Sequence, residues 1–78
     1  MKGLNQKDKA IINLVKSLVG EVKIVKSKTN YQIVFNSGRD NDYIAAVERA
    51  VRGRAGETKF LSFESEKCRY VITLEYGE

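Results

Sequence analysis

The segment Gly20–Val25 reads GEVKIV, and it recurs 36 positions later as Gly56–Leu61, which reads GETKFL. Further along, Tyr31–Ile33 (YQI) recurs as Tyr70–Ile72 (YVI). A pattern of apolar residues with helical spacing precedes each copy. Because self-similarity of this kind reports on the whole architecture, we interpret the chain as two helix–strand–strand units joined in tandem.

The first unit covers approximately residues 4–38. Its apolar residues recur at the i, i+3, i+4, i+7 spacing of one helical face and predict a helix over residues 4–19; they are Ile11, Leu14, Val15 and Leu18. Asn5 is a favourable N-cap, and Gly20 is suited to the left-handed position that follows a helix. Residues 21–27 and 31–36 then predict a hairpin, because large apolar side chains alternate along the second segment.

The second unit covers approximately residues 40–77, and its Gly77 corresponds to Gly38 of the first unit. Asp40, Asn41 and Asp42 offer N-caps to a helix over residues 40–54. Residues 59–64 and 69–76 predict the second hairpin, with the tip at residues 65–68. The single cysteine, Cys68, is interpreted as a small residue of this tip.

The predicted fold class is therefore α+β, a tandem αββαββ repeat that forms one domain over residues 1–78. Two amphipathic helices and two hairpins can bury their apolar faces in a two-layer arrangement. We expect a four-stranded antiparallel sheet with both helices on one face, and the strand order stays open. The side chains expected to point towards the helices are Tyr31, Ile33, Phe35, Tyr70, Ile72 and Leu74.

The opposite face of the sheet is expected to be uncovered and to carry more apolar side chains than a face in contact with water alone requires. An apolar patch with a polar rim usually marks an interaction surface. The alternative is that β-branched residues are present only because they form strands well. The candidate protein interface consists of Val25, Val34, Leu61, Phe63 and Val71.

The 78 residues carry a net charge of +4, and this charge is unevenly distributed. Residues 1–39 hold eight Lys or Arg against two acids, which gives +6, whereas residues 40–78 hold six against eight, which gives −2. A basic half attracts phosphate backbones or acidic protein surfaces. The alternative is a solvated basic surface without a partner.

Two functions follow as hypotheses. The first is a small, non-enzymatic nucleic-acid-binding protein that uses its basic half and the first hairpin tip; the candidate contacts are Lys9, Lys16, Lys23, Lys26, Lys28, Arg49, Arg52 and Arg54. The second is a small protein-binding regulator or inhibitor that uses the open sheet face. A homodimer through that face is compatible with either hypothesis.

Catalysis is not expected. The chain has no histidine, which is the commonest general base, and no phosphate-binding glycine loop. One cysteine allows no internal disulfide and makes no ordinary zinc site. We therefore expect no cofactor and no metal. With no apolar run long enough for a membrane span and no signal-like N-terminal segment, we expect an intracellular, cytoplasmic protein.

Overall fold

The computed structural model describes residues 4–56 and 58–76. The elements follow in the order α1 (Gln6–Val19), β1 (Lys23–Lys26), β2 (Asn30–Asn36), α2 (Asn41–Ala55), β3 (Phe60–Glu66) and β4 (Arg69–Glu75). The predicted α+β class, with two helices and a four-stranded antiparallel sheet, is confirmed. Glu57 and Gly77, which belong to the proposed repeat, lie outside the described residues.

Both helices are bounded by the capping residues that the sequence offers. The Asn5 side chain accepts a hydrogen bond from the Asp8 backbone N–H at 2.8 Å, and the Asp8 carboxylate accepts one from the Asn5 N–H at 3.2 Å. This reciprocal capping box satisfies two N–H groups that the first turn leaves without partners. At the other end, Gly20 has φ of 92°, a conformation that glycine adopts without strain. At the start of α2, the Asp40 side chain accepts a hydrogen bond from the Tyr43 backbone N–H at 2.9 Å.

The strands are arranged in the order β1-β2-β4-β3, so β2 and β4 pair in the centre of the sheet. Ile33 lies opposite Ile72, and Tyr31 and Phe35 lie opposite Leu74 and Tyr70. Ile33 and Ile72 are also equivalent positions in the proposed repeat. The register is symmetric about this pair. Two similar units related by a twofold axis through the centre of the sheet would have such a register.

One face of the sheet and both helices form the core. The six sheet residues that were expected to face the helices are all buried. They belong to one apolar cluster with the buried faces of α1 and α2, which supply Ile11, Ile12, Val15, Ile44, Val47, Val51 and Ala55. The side chains of Tyr31, Ile33, Ile72 and Leu74 have no exposed area at all. This burial is the main source of stability for the fold.

The two helices run antiparallel across the sheet. The Tyr43 hydroxyl, at the start of α2, donates a hydrogen bond to the backbone oxygen of Leu18, at the end of α1. The start of α1 is fixed separately, because the Tyr31 hydroxyl in β2 donates to the Asp8 carboxylate at 3.1 Å. Each end of the molecule therefore combines the beginning of one helix with the end of the other.

The expected position of Phe63 on the open face is wrong. The pairing of β3 with β4 is irregular between Phe60, which lies opposite Leu74, and Ser62, which lies opposite Thr73. Leu61 is the additional residue, so the alternation of faces changes after it. Phe63 consequently lies opposite Ile72 on the helix side, and its ring stacks on the Tyr70 ring with centroids 6.0 Å apart.

Candidate nucleic-acid interface and the open sheet face

Cationic side chains from four segments lie at one end of the molecule. The Tyr31–Asp8 hydrogen bond fixes the start of α1 above the start of β2, next to the turn that joins β1 and β2. The Tyr76 hydroxyl donates to the Ser27 backbone oxygen at 2.7 Å, which holds the chain after β4 against the same turn. The N-terminus of one helix and one hairpin turn thus share this end.

The end of α2 and the start of β3 reach the same place. The Arg52 guanidinium carbon lies 4.5 Å from the centroid of the Phe60 ring, and Phe60 lies opposite Leu74, close to the C-terminal end of β4. The Glu75 N–H donates to the Lys59 backbone oxygen at 2.8 Å. We call this group of cationic residues the basic end; its members are Lys7, Lys9, Lys26, Lys28, Arg52, Arg54 and Lys59.

The structure brings together five of the eight candidate nucleic-acid contacts and separates the other three. Lys16 lies in the last turn of α1, Lys23 at the opposite end of β1, and Arg49 in the middle of α2. Sequence reasoning left out Lys7 and Lys59, which join the basic end only through the packing of helix on sheet. Helical periodicity and the hairpin prediction contain no signal for that long-range placement.

The β1–β2 turn presents Lys26 and Lys28 on an ordered backbone. The Ser27 hydroxyl donates to the backbone oxygen of Asn30 at 3.0 Å and lies 2.9 Å from the Asn30 side-chain oxygen. The Ser27 N–H donates to the same backbone oxygen at 2.9 Å. Both lysines are exposed, and within residues 4–56 and 58–76 neither forms a salt bridge. They are available to an external anion without breaking an internal contact.

In the described part of the chain, Asp8 and Glu75 lie at this end and Glu48 lies one helical turn before Arg52, and each of these acids is at least partly buried. Asp8 is 1% exposed and is bonded to Tyr31 and Asn5. Burial, together with the nearby Asp8 carboxylate and its hydrogen bond, raises the pKa of Tyr31 well above its usual value of 10.0. Glu48 forms an ion pair with Arg52 at 2.8 Å. Arg52 is therefore held both by this ion pair and by its contact with the Phe60 ring.

The open face of the sheet is not covered by either helix. Register places a row of four residues across it, in the order Lys23, Val34, Val71, Glu64. The next row consists of Val25, Gln32, Thr73 and Ser62, in which the Gln32 amide lies 3.5 Å from the Thr73 hydroxyl oxygen. Val34 and Val71 are half-buried, whereas Val25 and Leu61 are 42% and 47% exposed.

The end of the molecule opposite the basic end carries both signs of charge. A groove of about 690 Å³ lies there between the loop after α1, the end of β2 and the start of β4. Glu21, Lys23 and Arg69 line it together with the Asn36 amide. Glu64, Glu66 and Arg69 line a neighbouring groove. Among the described residues, acids and bases therefore alternate around Arg69, which is unfavourable for a polyanion.

Comparison of the chain with protein-family models, with curated proteins and with solved structures finds no match. In the part of the chain that the structure describes, neither helix has the length and apolar character needed to cross a membrane.

Proposed function

We propose that this protein binds nucleic acid through phosphate contacts at the basic end. The observation that carries the proposal is the convergence of cations from both units, four segments in all, at one end of an elongated molecule with axes of 37, 21 and 19 Å. Lys9, Lys26, Lys28 and Arg54 are exposed there. Cations clustered on one surface release condensed counterions from a phosphate backbone, and this release drives association.

The proposed contacts are with the backbone of the nucleic acid rather than with its bases. Lysine and arginine contacts with phosphate position a protein without reading sequence. Base stacking by Tyr31 is excluded because its side chain is completely buried. Exposed lysines contribute little to folding stability, so the folded core gives no reason for their accumulation at one end.

Salt-dependent binding tests the proposal. Fluorescence anisotropy with DNA and RNA duplexes and single strands should show affinity that falls steeply as salt rises. Four or five phosphate contacts predict a slope of about −4 for the logarithm of the binding constant against that of the salt concentration. The variant Lys26→Glu/Lys28→Glu should bind all sequences at least about tenfold more weakly, with a slope smaller by about 2.

Two cations away from the basic end provide the matched control. Lys16→Glu/Arg49→Glu changes the net charge by the same amount, but neither residue belongs to the basic end. This control should retain most of the affinity and most of the salt slope. Salt screens the attraction between phosphates and cations that lie farther away than a Debye length of about 8–10 Å. Equal weakening by both variants, or no binding at low salt, would refute the proposed site.

A second function, binding of a protein through the open sheet face, is supported by a separate observation. Two large apolar residues, Val25 and Leu61, remain exposed at the two edges of a face that no helix covers. A regulator or inhibitor of a larger protein would use this surface. The variant Leu61→Asp should abolish such binding without unfolding the chain, because Leu61 lies outside the apolar core.

A further inference from the structure

The row Lys23, Val34, Val71, Glu64 is complementary to itself when its order is reversed. It crosses the whole open face, with a cation on edge strand β1, two valines on the central strands and an anion on edge strand β3. A second copy turned by 180° about an axis parallel to the strands presents the same row in the opposite direction. Lys23 of each copy then faces the partner's Glu64, and Val34 faces the partner's Val71.

The same rotation brings together the exposed apolar residues. Val25 is on β1, in the row next to that of Lys23, and Leu61 is beside Ser62 at the other end of that second row. Since the rotation exchanges the two edges, Val25 of one copy meets Leu61 of the other. Val25 and Leu61 are the large apolar residues found exposed in the described part of the chain, and one operation covers both.

We propose that the open face binds a second copy of this chain in this orientation, forming a twofold-symmetric dimer. A closed, isologous contact of this kind is the commonest form of homo-oligomer. The proposal gives this face a second copy of the chain as its occupant, in place of the larger protein of the second function above, and it does not depend on nucleic-acid binding. It also specifies the register, with two Lys23–Glu64 pairs beside four central valines.

The size of the face predicts a weak dimer. Three strand spacings of about 4.8 Å and seven residues of about 3.3 Å give a face of roughly 15 by 23 Å. This area of roughly 350 Å² is less than half of the standard of about 800 Å² per partner, a size typical of weak, transient contacts. We expect a dissociation constant on the order of 100 μM, which sedimentation equilibrium up to about 1 mM protein resolves.

A mixing experiment tests the register directly. Lys23→Glu alone places a new carboxylate against the partner's Glu64 twice, and Glu64→Lys alone places two ammonium groups together twice. Each variant should therefore dimerise at least about tenfold more weakly than the unmodified chain, because like charges across an interface are unfavourable. When the two variants are mixed, every pair is again oppositely charged. The heterodimer should form with an affinity within about threefold of the original.

The control replaces Lys16, which lies on α1 and not on the sheet face. Lys16→Glu has the same charge change as Lys23→Glu, yet it should dimerise normally and form no preferred heterodimer with Glu64→Lys. Leu61→Glu should abolish dimerisation, and circular dichroism should show that it stays folded. A chain that is monomeric at about 1 mM, or a mixture that does not recover affinity, would overturn the proposal.

The exposed thiol of Cys68 reports the orientation. A rotation about an axis parallel to the strands keeps the two β3–β4 turns at the same end of the dimer. Donor and acceptor dyes on Cys68 should therefore show strong energy transfer that disappears in Leu61→Glu. An energy transfer that places the two dyes at opposite ends of the dimer, a distance comparable to the 37 Å length of one molecule, would refute this axis. The salt-dependent binding assay with nucleic acid is unaffected by that outcome, so the two proposals fail separately.

Discussion

Replacing Tyr31 by phenylalanine is expected to lower the free energy of unfolding by about 2 kcal/mol. The substitution removes one oxygen and leaves the ring in place. That oxygen has no exposed area, and it donates to the Asp8 carboxylate at 3.1 Å. Asp8 is itself only 1% exposed, so water is poorly placed to replace the lost donor.

The magnitude follows from the charge of the acceptor. Hydrogen bonds to charged groups contribute about 1.5–3 kcal/mol, whereas those between neutral groups contribute about 0.5–1.5 kcal/mol. A chain of 78 residues is expected to have a total stability of roughly 4–12 kcal/mol. One hydroxyl group would therefore account for a substantial fraction of it. With an m-value of about 1 kcal/mol/M, the urea midpoint should fall by about 2 M.

Urea unfolding followed by circular dichroism measures this loss, and Tyr76→Phe is the matched control. The Tyr76 hydroxyl donates to the neutral backbone oxygen of Ser27 at 2.7 Å. The same chemical change should therefore cost only about 1 kcal/mol there. A loss for Tyr31→Phe no larger than that for Tyr76→Phe would show that the Asp8 carboxylate does not depend on this donor, and would refute the reasoning.

Four further outcomes are expected. Gly20→Ala should destabilise the fold by about 1–3 kcal/mol, because alanine is strained at a φ of 92°. Gly53→Ala should stabilise the fold by about 1 kcal/mol, because Gly53 lies inside α2 and nothing lies within 4 Å of the new Cβ. Urea midpoints measure both changes. Phe63→Asp should lower the free energy of unfolding by about 3 kcal/mol or more, seen as a lower melting temperature, since it places a carboxylate on the helix side against Tyr70. Above pH 10 the unfolded chain loses the Tyr31 proton, whereas the folded chain retains it. The contribution of Tyr31 to the free energy of unfolding is therefore fully present below pH 10 and should fall by about 1.4 kcal/mol per pH unit as pH rises. Urea titrations at several pH values should show this slope reduced in Tyr31→Phe.

Local signals were sufficient for the elements of this fold. Asn5 and Gly20 fix the limits of α1 through contacts within four residues, so the helix predicted over residues 4–19 is observed at Gln6–Val19. Alternation along β2 and β4 identified the buried face, because register and burial agree for every second residue of both strands. These features depend on neighbours in sequence, and the sequence alone therefore predicts them.

The irregular pairing of β3 could not be predicted from alternation. A regular strand would place Phe60 and Phe63 on opposite faces, since they are three residues apart. The structure places both, partly buried, on the helix side by adding Leu61 to the strand, at the cost of one interrupted position in the ladder. Through this irregularity the Phe63 ring gains its contact with the Tyr70 ring. The choice depends on the space beneath the sheet, which no local pattern describes.

The sequence supplied five of the seven members of the basic end but not their arrangement. Net charge identified the lysines of the first half, whereas the arginines at the end of α2 join them only because the helices run antiparallel. The contact between Arg52 and Phe60 and that between Tyr31 and Asp8 fix this arrangement. Both are side-chain contacts between a helix and a strand, and the spacing of apolar residues in the sequence does not indicate them.

The two proposals together have a geometric consequence. The proposed dimer axis is parallel to the strands, so the basic ends of both copies lie on the same side of the dimer. A nucleic acid longer than one site then contacts both, and the second contact is intramolecular, which raises the apparent affinity without any new interaction. If both proposals hold, Leu61→Glu should weaken binding to a long duplex much more than binding to a short one. A uniform effect on both lengths would mean that the basic ends do not act as a pair.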